Sequence, residues 1–132
     1  MRLALFDLDN TLLSGDSDFE WGEFLISKGV MDRDSHRERN RQFYEEYNAG
    51  TMDINAFLGY QLGNLAKYKR ERLESWREEF IEKKIIPMIS SKARSLVRTH
   101  QRDTRVLITA TNSFITKPIA DEFGIPVLIA TE

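Results

Sequence analysis

Three short apolar runs stand out along the 132-residue chain and predict the strands of a parallel β-sheet. They extend from Leu3 to Phe6, from Val106 to Ile108 and from Val127 to Ala130. Runs this short and this rich in aliphatic side chains are typical of strands that helices cover on both faces. The pattern therefore predicts an α/β fold.

One helix is predicted between the second and third strands. Ile115, Ile119 and Phe123 recur at helical spacing, and Gly124 stands where such a helix would end. We expect this strand–helix–strand unit to form a right-handed crossover.

The long segment between the first and second strands carries several helical patterns and no strand pattern. Asp32 and Asp53 suit the N-caps of helices, and Gly29 and Gly50 suit helix ends. The clearest apolar stripe consists of Ile54, Phe57, Leu58, Gln61, Leu62 and Leu65. Because a crossover between parallel strands needs only one helix, most of this segment should be an inserted helical domain.

Two domains are expected on this basis. An α/β core would consist of residues 1–15 and 86–132, and a helical domain of residues 16–85. The aromatic side chains at helical spacing should form the core of the helical domain: Trp21, Phe43, Tyr44, Tyr47, Phe57 and Trp76. His36 lies among several arginines, which predicts a solvated helix face at this position.

Composition narrows the class of protein. Hydrophobic residues make up 41% and charged residues 30% of the chain, as in soluble globular proteins. A net charge of −2 without a basic stripe argues against nucleic acid as a partner, and no apolar segment is long enough to span a membrane. The chain has no cysteine, which excludes disulfides, thiolate metal sites and cysteine nucleophiles. We therefore expect a cytoplasmic protein, and the sequence leaves its oligomeric state open.

Two aspartates follow the first predicted strand, where α/β folds bind their ligands. Asp7 and Asp9 are two residues apart, so in an extended chain their carboxylates point the same way. Ligands of open α/β sheets gather outside the carboxyl ends of the strands. Leu12 and Asp18 stand where a calcium-binding loop requires glycine and glutamate, which excludes that type of loop.

Two interpretations of the aspartate pair remain. Aspartates at strand ends often cap turns by accepting hydrogen bonds from nearby N–H groups. Alternatively, one aspartate attacks a phosphoryl group to form an aspartyl-phosphate, while the second protonates the leaving oxygen and later activates water. Mg²⁺ would neutralise the repulsion between carboxylate and phosphate. Two acids in register, followed by Asn10 and Thr11, favour phosphoryl transfer.

The whole chain resembles the haloacid dehalogenase (HAD) superfamily. The segment FDLDNTL at residues 6–12 resembles motif I of this superfamily, and VLIT at residues 106–109 resembles motif II. The helical insertion resembles the C1 cap of the phosphoserine-phosphatase-like branch, subfamily IB, and the segment LITATNSF at residues 107–114 is similar to HAD-type histidinol phosphatases. The resemblance implies a Rossmann-like α/β core, here with three parallel strands and incomplete, and an inserted all-helical C1 cap.

The resemblance gives each aspartate a role. Asp7 would be the catalytic nucleophile and a ligand of Mg²⁺. Asp9 would be the general acid and base, and its backbone carbonyl would be a second ligand of the metal.

Four further positions would bind the substrate. Thr109 would donate a hydrogen bond to the transferring phosphoryl group, helped by the backbone N–H of Ala110. Asn112 would either contact phosphate or cap the following helix, and the two alternatives stay open here. Glu20 would recognise an amine on the substrate, by analogy with phosphoserine phosphatases, although ordinary helix solvation explains this residue as well.

The family also has a motif III lysine and a motif IV pair of acids, both beyond the third strand. Lys117 and Asp121 precede that strand and do not replace them. We expect the sequence to correspond to the N-terminal part of a Mg²⁺-dependent phosphomonoester hydrolase acting on a small phosphorylated metabolite, such as histidinol phosphate or phosphoserine. The alternatives are a phosphotransferase or mutase with the same intermediate, and an inactive fragment with a structural or interaction role.

Overall fold

A three-stranded parallel sheet forms the α/β part of the protein. The computed structural model describes residues 2–131. The strands are β1 (Leu3–Asp7), β2 (Thr104–Asn112) and β3 (Val127–Thr131), and β2 lies between the other two. The predicted α/β class is confirmed, and each predicted strand is present.

Six α-helices occur among the described residues. They are α1 (Ser17–Ser27), α2 (Arg33–Ala49), α3 (Ile54–Ala66), α4 (Arg70–Phe80), α5 (Ser91–Thr99) and α6 (Ser113–Phe123). Two short helical turns, Ile81–Ile85 and Ile86–Met88, connect α4 to α5. The expected N-caps are confirmed, since the side chains of Asp32 and Asp53 accept hydrogen bonds from first-turn amides of α2 and α3. Ser90 caps α5 in the same way.

The chain divides into two compact units. The first consists of Met1–Trp21 and Arg77–Glu132 and contains the sheet, and the second, Gly22–Trp76, is helical. The domain limits expected from the sequence differ from these bounds and stay a prediction. Among residues 2–131, no helix combines the length and the apolarity that a membrane crossing requires.

One face of the sheet is buried beneath α5 and α6. Phe6 and Leu107 point to this face and are 7% and 0% exposed. The His100 ring, at the end of α5, meets the Phe6 ring edge-on at 5.8 Å between centroids. Arg94 of α5 donates to Glu122 of α6 at 2.9 Å, so the two helices are neighbours on one side of the sheet.

The opposite face of the sheet is apolar and largely exposed. Its side chains are 38–65% exposed at Leu3, Leu5, Ile108, Val127 and Ile129. The expectation that helices cover both faces is therefore wrong for the described residues. The reason lies in the strand order β1-β2-β3, because successive right-handed crossovers in one direction put their helices on the same face.

The helical unit has an aromatic core that the sequence predicts only in part. Phe43 of α2 packs edge-on against Phe57 of α3 at 5.1 Å, and Tyr68 packs against Trp76 at 5.1 Å. No residue of α3 is fully buried. Two expectations about this core are wrong, since Tyr44 and Tyr47 are each 67% exposed. Tyr44 lies about 100° around α2 from Phe43, and Tyr47 lies in the last turn of the helix.

Trp21 falls outside the helical unit. It belongs to the first unit, where its ring packs edge-on against Phe80 at 5.1 Å and against Phe114 at 6.3 Å.

His36 is buried in the helical unit, contrary to the expected solvated face. Its Nδ1 lies 2.8 Å from Tyr60 Oη and its Nε2 lies 3.0 Å from Asn40 Nδ2. An amide nitrogen only donates, so Nε2 accepts, Nδ1 carries the proton, and the ring is neutral. Gly22 makes room for the ring, because a Cβ at that position would lie 2.3 Å from His36 Nε2. Burial lowers the pKa of His36 below its ordinary value.

The two faces of the sheet should respond differently to truncation. We expect Leu107→Ala, on the covered face, to lower the free energy of unfolding by about 2–4 kcal/mol, because it leaves a cavity. Leu5→Ala, at a side chain that is 60% exposed, should cost less than about 1 kcal/mol. Urea denaturation of both variants measures the difference, and equal losses would show that the second face is covered in solution.

The neutral His36 should make stability depend on pH. A lowered pKa means that stability is fully present above the ordinary value near 6.5 and is lost as the pH falls from there toward the folded pKa. The slope contributed by one group is at most about 1.4 kcal/mol per pH unit. Urea denaturation between pH 7.5 and about 5 should show this loss in the unaltered chain and a smaller one in His36→Gln. Identical slopes would contradict a neutral, buried His36.

Candidate active site

The carboxyl end of β1 leads into a tight turn that separates the two aspartates. Asp7 and Asp9 both have extended backbone, and the intervening Leu8 is completely buried. Asn10 then adopts the left-handed conformation with φ 59°, which asparagine tolerates better than most residues, and its N–H donates to Gly15 O at 2.9 Å. The buried leucine anchors the turn between the two acids, of which Asp7 is exposed and Asp9 half-buried.

The carboxylate of Asp9 accepts four hydrogen bonds. At Oδ1 it accepts from the backbone N–H of Ser17 at 2.7 Å and from Ser17 Oγ at 2.6 Å. At Oδ2 it accepts from Thr111 Oγ1 at 2.9 Å and from Thr109 Oγ1 at 3.2 Å. A carboxylate has about four lone-pair positions, so this side chain is saturated and fixed in orientation.

These donors come from two elements of the first unit. Ser17 is the first residue of α1, and Asp16 caps that helix by accepting from the N–H groups of Asp18 at 2.9 Å and Phe19 at 3.1 Å. Thr109 and Thr111 are two residues apart on β2 and therefore share a face of the strand. The start of α1 and the end of β2 therefore meet at the carboxylate of Asp9.

Asp7 differs from Asp9 in the freedom of its carboxylate. Its Oδ2 accepts from Thr11 Oγ1 at 2.7 Å, while its Oδ1 accepts no hydrogen bond from any residue between positions 2 and 131. The side chain is exposed at the end of β1, where Asp7 pairs with Ile108 of β2. An exposed carboxylate with an unoccupied oxygen is available to attack an electrophile or to bind a cation.

Within residues 2–131, the other predicted site residues make no hydrogen bond with the side chains of the two aspartates. Asn112 Oδ1 accepts from the N–H of Ile115 at 3.0 Å, so Asn112 caps α6, the second of the two alternatives. The carbonyl of Ala110 accepts from Thr131 Oγ1 at 2.8 Å, in an exposed part of β2. Glu20 is half-buried in the first turn of α1 and makes no hydrogen bond with either aspartate in the described part of the chain.

A third acid near Asp9 has an unusual pKa. Burial, and to a lesser extent the negative charges of Asp16 and Asp9, raise the pKa of Asp18 to about 7. No group of three or more acidic or histidine side chains that could hold a metal ion occurs among residues 2–131. The site therefore combines one saturated carboxylate, one open carboxylate and one that is partly protonated near neutral pH.

The sequence profile of the haloacid dehalogenase-like hydrolase family matches residues 4–132. The chain belongs to this family. It is 44% identical over 133 residues to a histidinol-phosphatase from Neisseria meningitidis serogroup C (strain 8013), a match covering 99% of this chain and 60% of that protein. The chain thus spans about 60% of the length of this curated relative.

Two solved structures have a similar fold. One is a protein of unknown function from Bordetella pertussis Tohama I, with 43% identity and a TM-score of 0.88, covering 98% of this chain and 59% of that one. The other is a phosphoserine phosphohydrolase-like protein from Francisella tularensis subsp. tularensis SCHU S4. It has 18% identity and a TM-score of 0.67, covering 98% of this chain and 58% of that one, which supports the HAD-like fold alone.

Sequence reasoning overlooked two residues of this HAD-like site, Ser17 and Thr111. Thr111 had a usable signal, because it stands two residues after Thr109 in a strand and must share its face. Ser17 had none, since its contact with Asp9 depends on how the turn after β1 folds back.

Because the pKa of Asp18 is raised, the free energy of unfolding should fall as the pH rises. Its carboxyl is protonated in the folded protein but ionised in the unfolded chain between about pH 4 and pH 7, so stability present below that window is lost across it. Asp18→Asn should therefore gain roughly 2–4 kcal/mol over the unaltered chain between pH 4 and pH 8. Urea denaturation at each of these two pH values measures the gain, and Asp34→Asn, at an exposed aspartate, is the control. The same gain in both variants would contradict a buried, protonated Asp18.

Proposed function

We propose that this protein is part of a Mg²⁺-dependent phosphomonoester hydrolase that acts through an aspartyl-phosphate on Asp7. The observation that carries the proposal is the contrast between the two aspartates of one turn. Asp7 has an open, exposed carboxylate, whereas the carboxylate of Asp9 is held by four hydrogen bonds. A nucleophile needs a free lone pair, and a general acid and base needs a fixed position.

Mg²⁺ fits the oxygen donors of this site in part. Mg²⁺ is bound in proteins by one or two carboxylates with substrate phosphate and water, and Asp7 offers one unoccupied carboxylate oxygen. The side chain of Asp9 is saturated, so its contribution would be the backbone carbonyl, as the family resemblance implies. When bound, the metal supplies positive charge that offsets the repulsion between Asp7 and a phosphate dianion.

With these roles, hydrolysis of the phosphate ester takes two steps, formation and breakdown of the aspartyl-phosphate. An oxygen of Asp7 bonds to phosphorus as the ester P–O bond breaks, and the leaving oxygen takes a proton from Asp9. Water next attacks the aspartyl-phosphate, giving its proton to Asp9 and releasing inorganic phosphate and free Asp7. Thr109 and the Ala110 N–H would hydrogen-bond the phosphoryl oxygens.

The substrate class is a small phosphorylated metabolite that carries an amine, with histidinol phosphate preferred. The 44% identity to a histidinol-phosphatase supports this choice. Asp16 and Glu20 add negative charge around the start of α1, the helix whose first residue bonds Asp9, which favours a cationic substrate group. Glu20 is the residue we assign to the amine, and Asn112 is left with its capping role.

Asp7→Asn should abolish phosphate release and covalent labelling. Release of phosphate from L-histidinol phosphate and O-phosphoserine would be measured with and without Mg²⁺. The assay would use the 132-residue chain and the same chain joined to the part of the Neisseria relative outside the match. Acid-stable ³²P label should appear on Asp7 and disappear in Asp7→Asn, with a loss of activity of at least about 10³-fold.

Asp121→Asn is the matched control, because Asp121 is an exposed carboxylate of the same unit that forms an ion pair with Lys117. It should keep the activity and the label of the unaltered protein. A transfer of phosphate to sugar acceptors faster than to water would indicate a phosphotransferase or mutase. Absence of both turnover and label in the joined chain would contradict the proposed enzyme.

A further inference from the structure

The hydroxyls of Ser17 and Thr111 both donate to the carboxylate of Asp9 and lie in contact with each other, so the three side chains form a closed ring of contacts. Ser17 Oγ lies 2.6 Å from Asp9 Oδ1, Thr111 Oγ1 lies 2.9 Å from Asp9 Oδ2, and the two hydroxyl oxygens lie 3.4 Å apart. Ser17 is completely buried and Thr111 is 8% exposed. We propose that Ser17 and Thr111 are positioning residues that hold the Asp9 carboxylate in one orientation for proton transfer with the substrate. The inference rests on the proposed function.

The ring satisfies the charged form of Asp9 by donation from both hydroxyls. Ser17 Oγ–H points to Oδ1 and Thr111 Oγ1–H points to Oδ2, and the short 2.6 Å and 2.9 Å distances suit bonds to a carboxylate. The backbone N–H of Ser17 adds a second donor at Oδ1, at 2.7 Å.

Donors on both sides of the carboxylate fix its orientation. The N–H and the hydroxyl of Ser17 hold Oδ1, and the hydroxyls of Thr109 and Thr111 hold Oδ2. A rotation of the carboxylate would break hydrogen bonds at both oxygens, so the four bonds together keep Asp9 in place for proton transfer.

Thr111 keeps its hydrogen bond to Asp9 Oδ2 during the proposed reaction, whereas Thr109 does not. The Thr109 hydroxyl is the more distant partner, at 3.2 Å, and in the proposed reaction it donates to the phosphoryl group. Thr111 then remains as the partner of Oδ2 while the ester bond breaks.

A purely structural role predicts a different outcome for the same substitutions. The hydroxyls also connect the start of α1 to the end of β2, so their removal would weaken the fold and lower activity with every substrate alike. If the hydroxyls act by positioning the general acid, the loss of activity depends on the leaving group of the substrate instead. p-Nitrophenolate departs without a proton, whereas the alkoxide of histidinol needs one.

The test compares two phosphate esters in Thr111→Val, Thr111→Ser and Thr116→Val. Thr116 is the matched control, because its buried hydroxyl bonds the backbone carbonyl of Asn112 and not Asp9. Thr111→Val should lower kcat for L-histidinol phosphate roughly 10-fold or more and for p-nitrophenyl phosphate less than about 3-fold, with KM unchanged. Thr111→Ser should restore kcat, and Thr116→Val should affect both esters equally. Equal losses with both esters in Thr111→Val, or no rescue by serine, would overturn the proposal.

A second readout does not depend on activity. Amide hydrogen exchange at Ser17 should be slow in the unaltered chain and at least about 10-fold faster in Asp9→Ala, because the N–H of Ser17 loses its acceptor. The ester assays use the chain joined to the remainder of the Neisseria relative. If that joined chain neither hydrolyses the esters nor takes the label, the proposed function fails, and Ser17 exchange alone then decides whether Asp9 is held as described. Unchanged exchange in Asp9→Ala would overturn the ring.

Discussion

Four hydrogen bonds to the carboxylate of Asp9 are the constraint on which the site depends. They join the turn after β1 to the first residue of α1 and to the end of β2, and the bond from Thr111 spans 102 positions of the sequence. Because these bonds occupy both oxygens of Asp9, the two acids of one short motif become chemically different. Asp9 is fixed and saturated, and Asp7 is left open.

The sheet supplies the geometry that makes this possible. Asp7 pairs with Ile108, and β2 continues past that pair to Asn112 while β1 turns away at Leu8. The protruding end of β2 therefore lies beside the turn with Thr109 and Thr111 on one face, and the same strand end caps α6 through Asn112. The strand order that creates this arrangement also leaves one apolar face of the sheet exposed.

Much of the fold and half of the site could be predicted from the sequence, because those features are local. The strands, the helix caps and the pair Asp7 and Asp9 each follow from residues that are close together in the chain. Ser17 could not be recognised as a partner, since serine is common and its contact with Asp9 depends on how the turn folds back, whereas Thr111 follows from its spacing to Thr109. The roles of the acids themselves, including the metal, stay predictions.

The wrong expectations have one physical cause. Periodicity shows which side of an element is apolar, but it does not show whether another element covers that side. Leu5 and Tyr47 are apolar at regular spacing and exposed, whereas His36 is polar, lies among charges and is buried because Gly22 makes room for it. Whether another element packs on an apolar side depends on the tertiary structure, and the sequence pattern gives little information about it.

Asp7 is proposed as the nucleophile and Asp9 as the general acid and base. A crystal structure with Mg²⁺ and beryllium trifluoride tests this assignment. Beryllium trifluoride mimics a phosphoryl group on a carboxylate. We predict the trifluoride on an oxygen of Asp7, with the Asp9 side chain still bonded to Ser17 and Thr111. Beryllium on Asp9, or an Asp9 side chain released from Ser17 and turned to the metal, would contradict it.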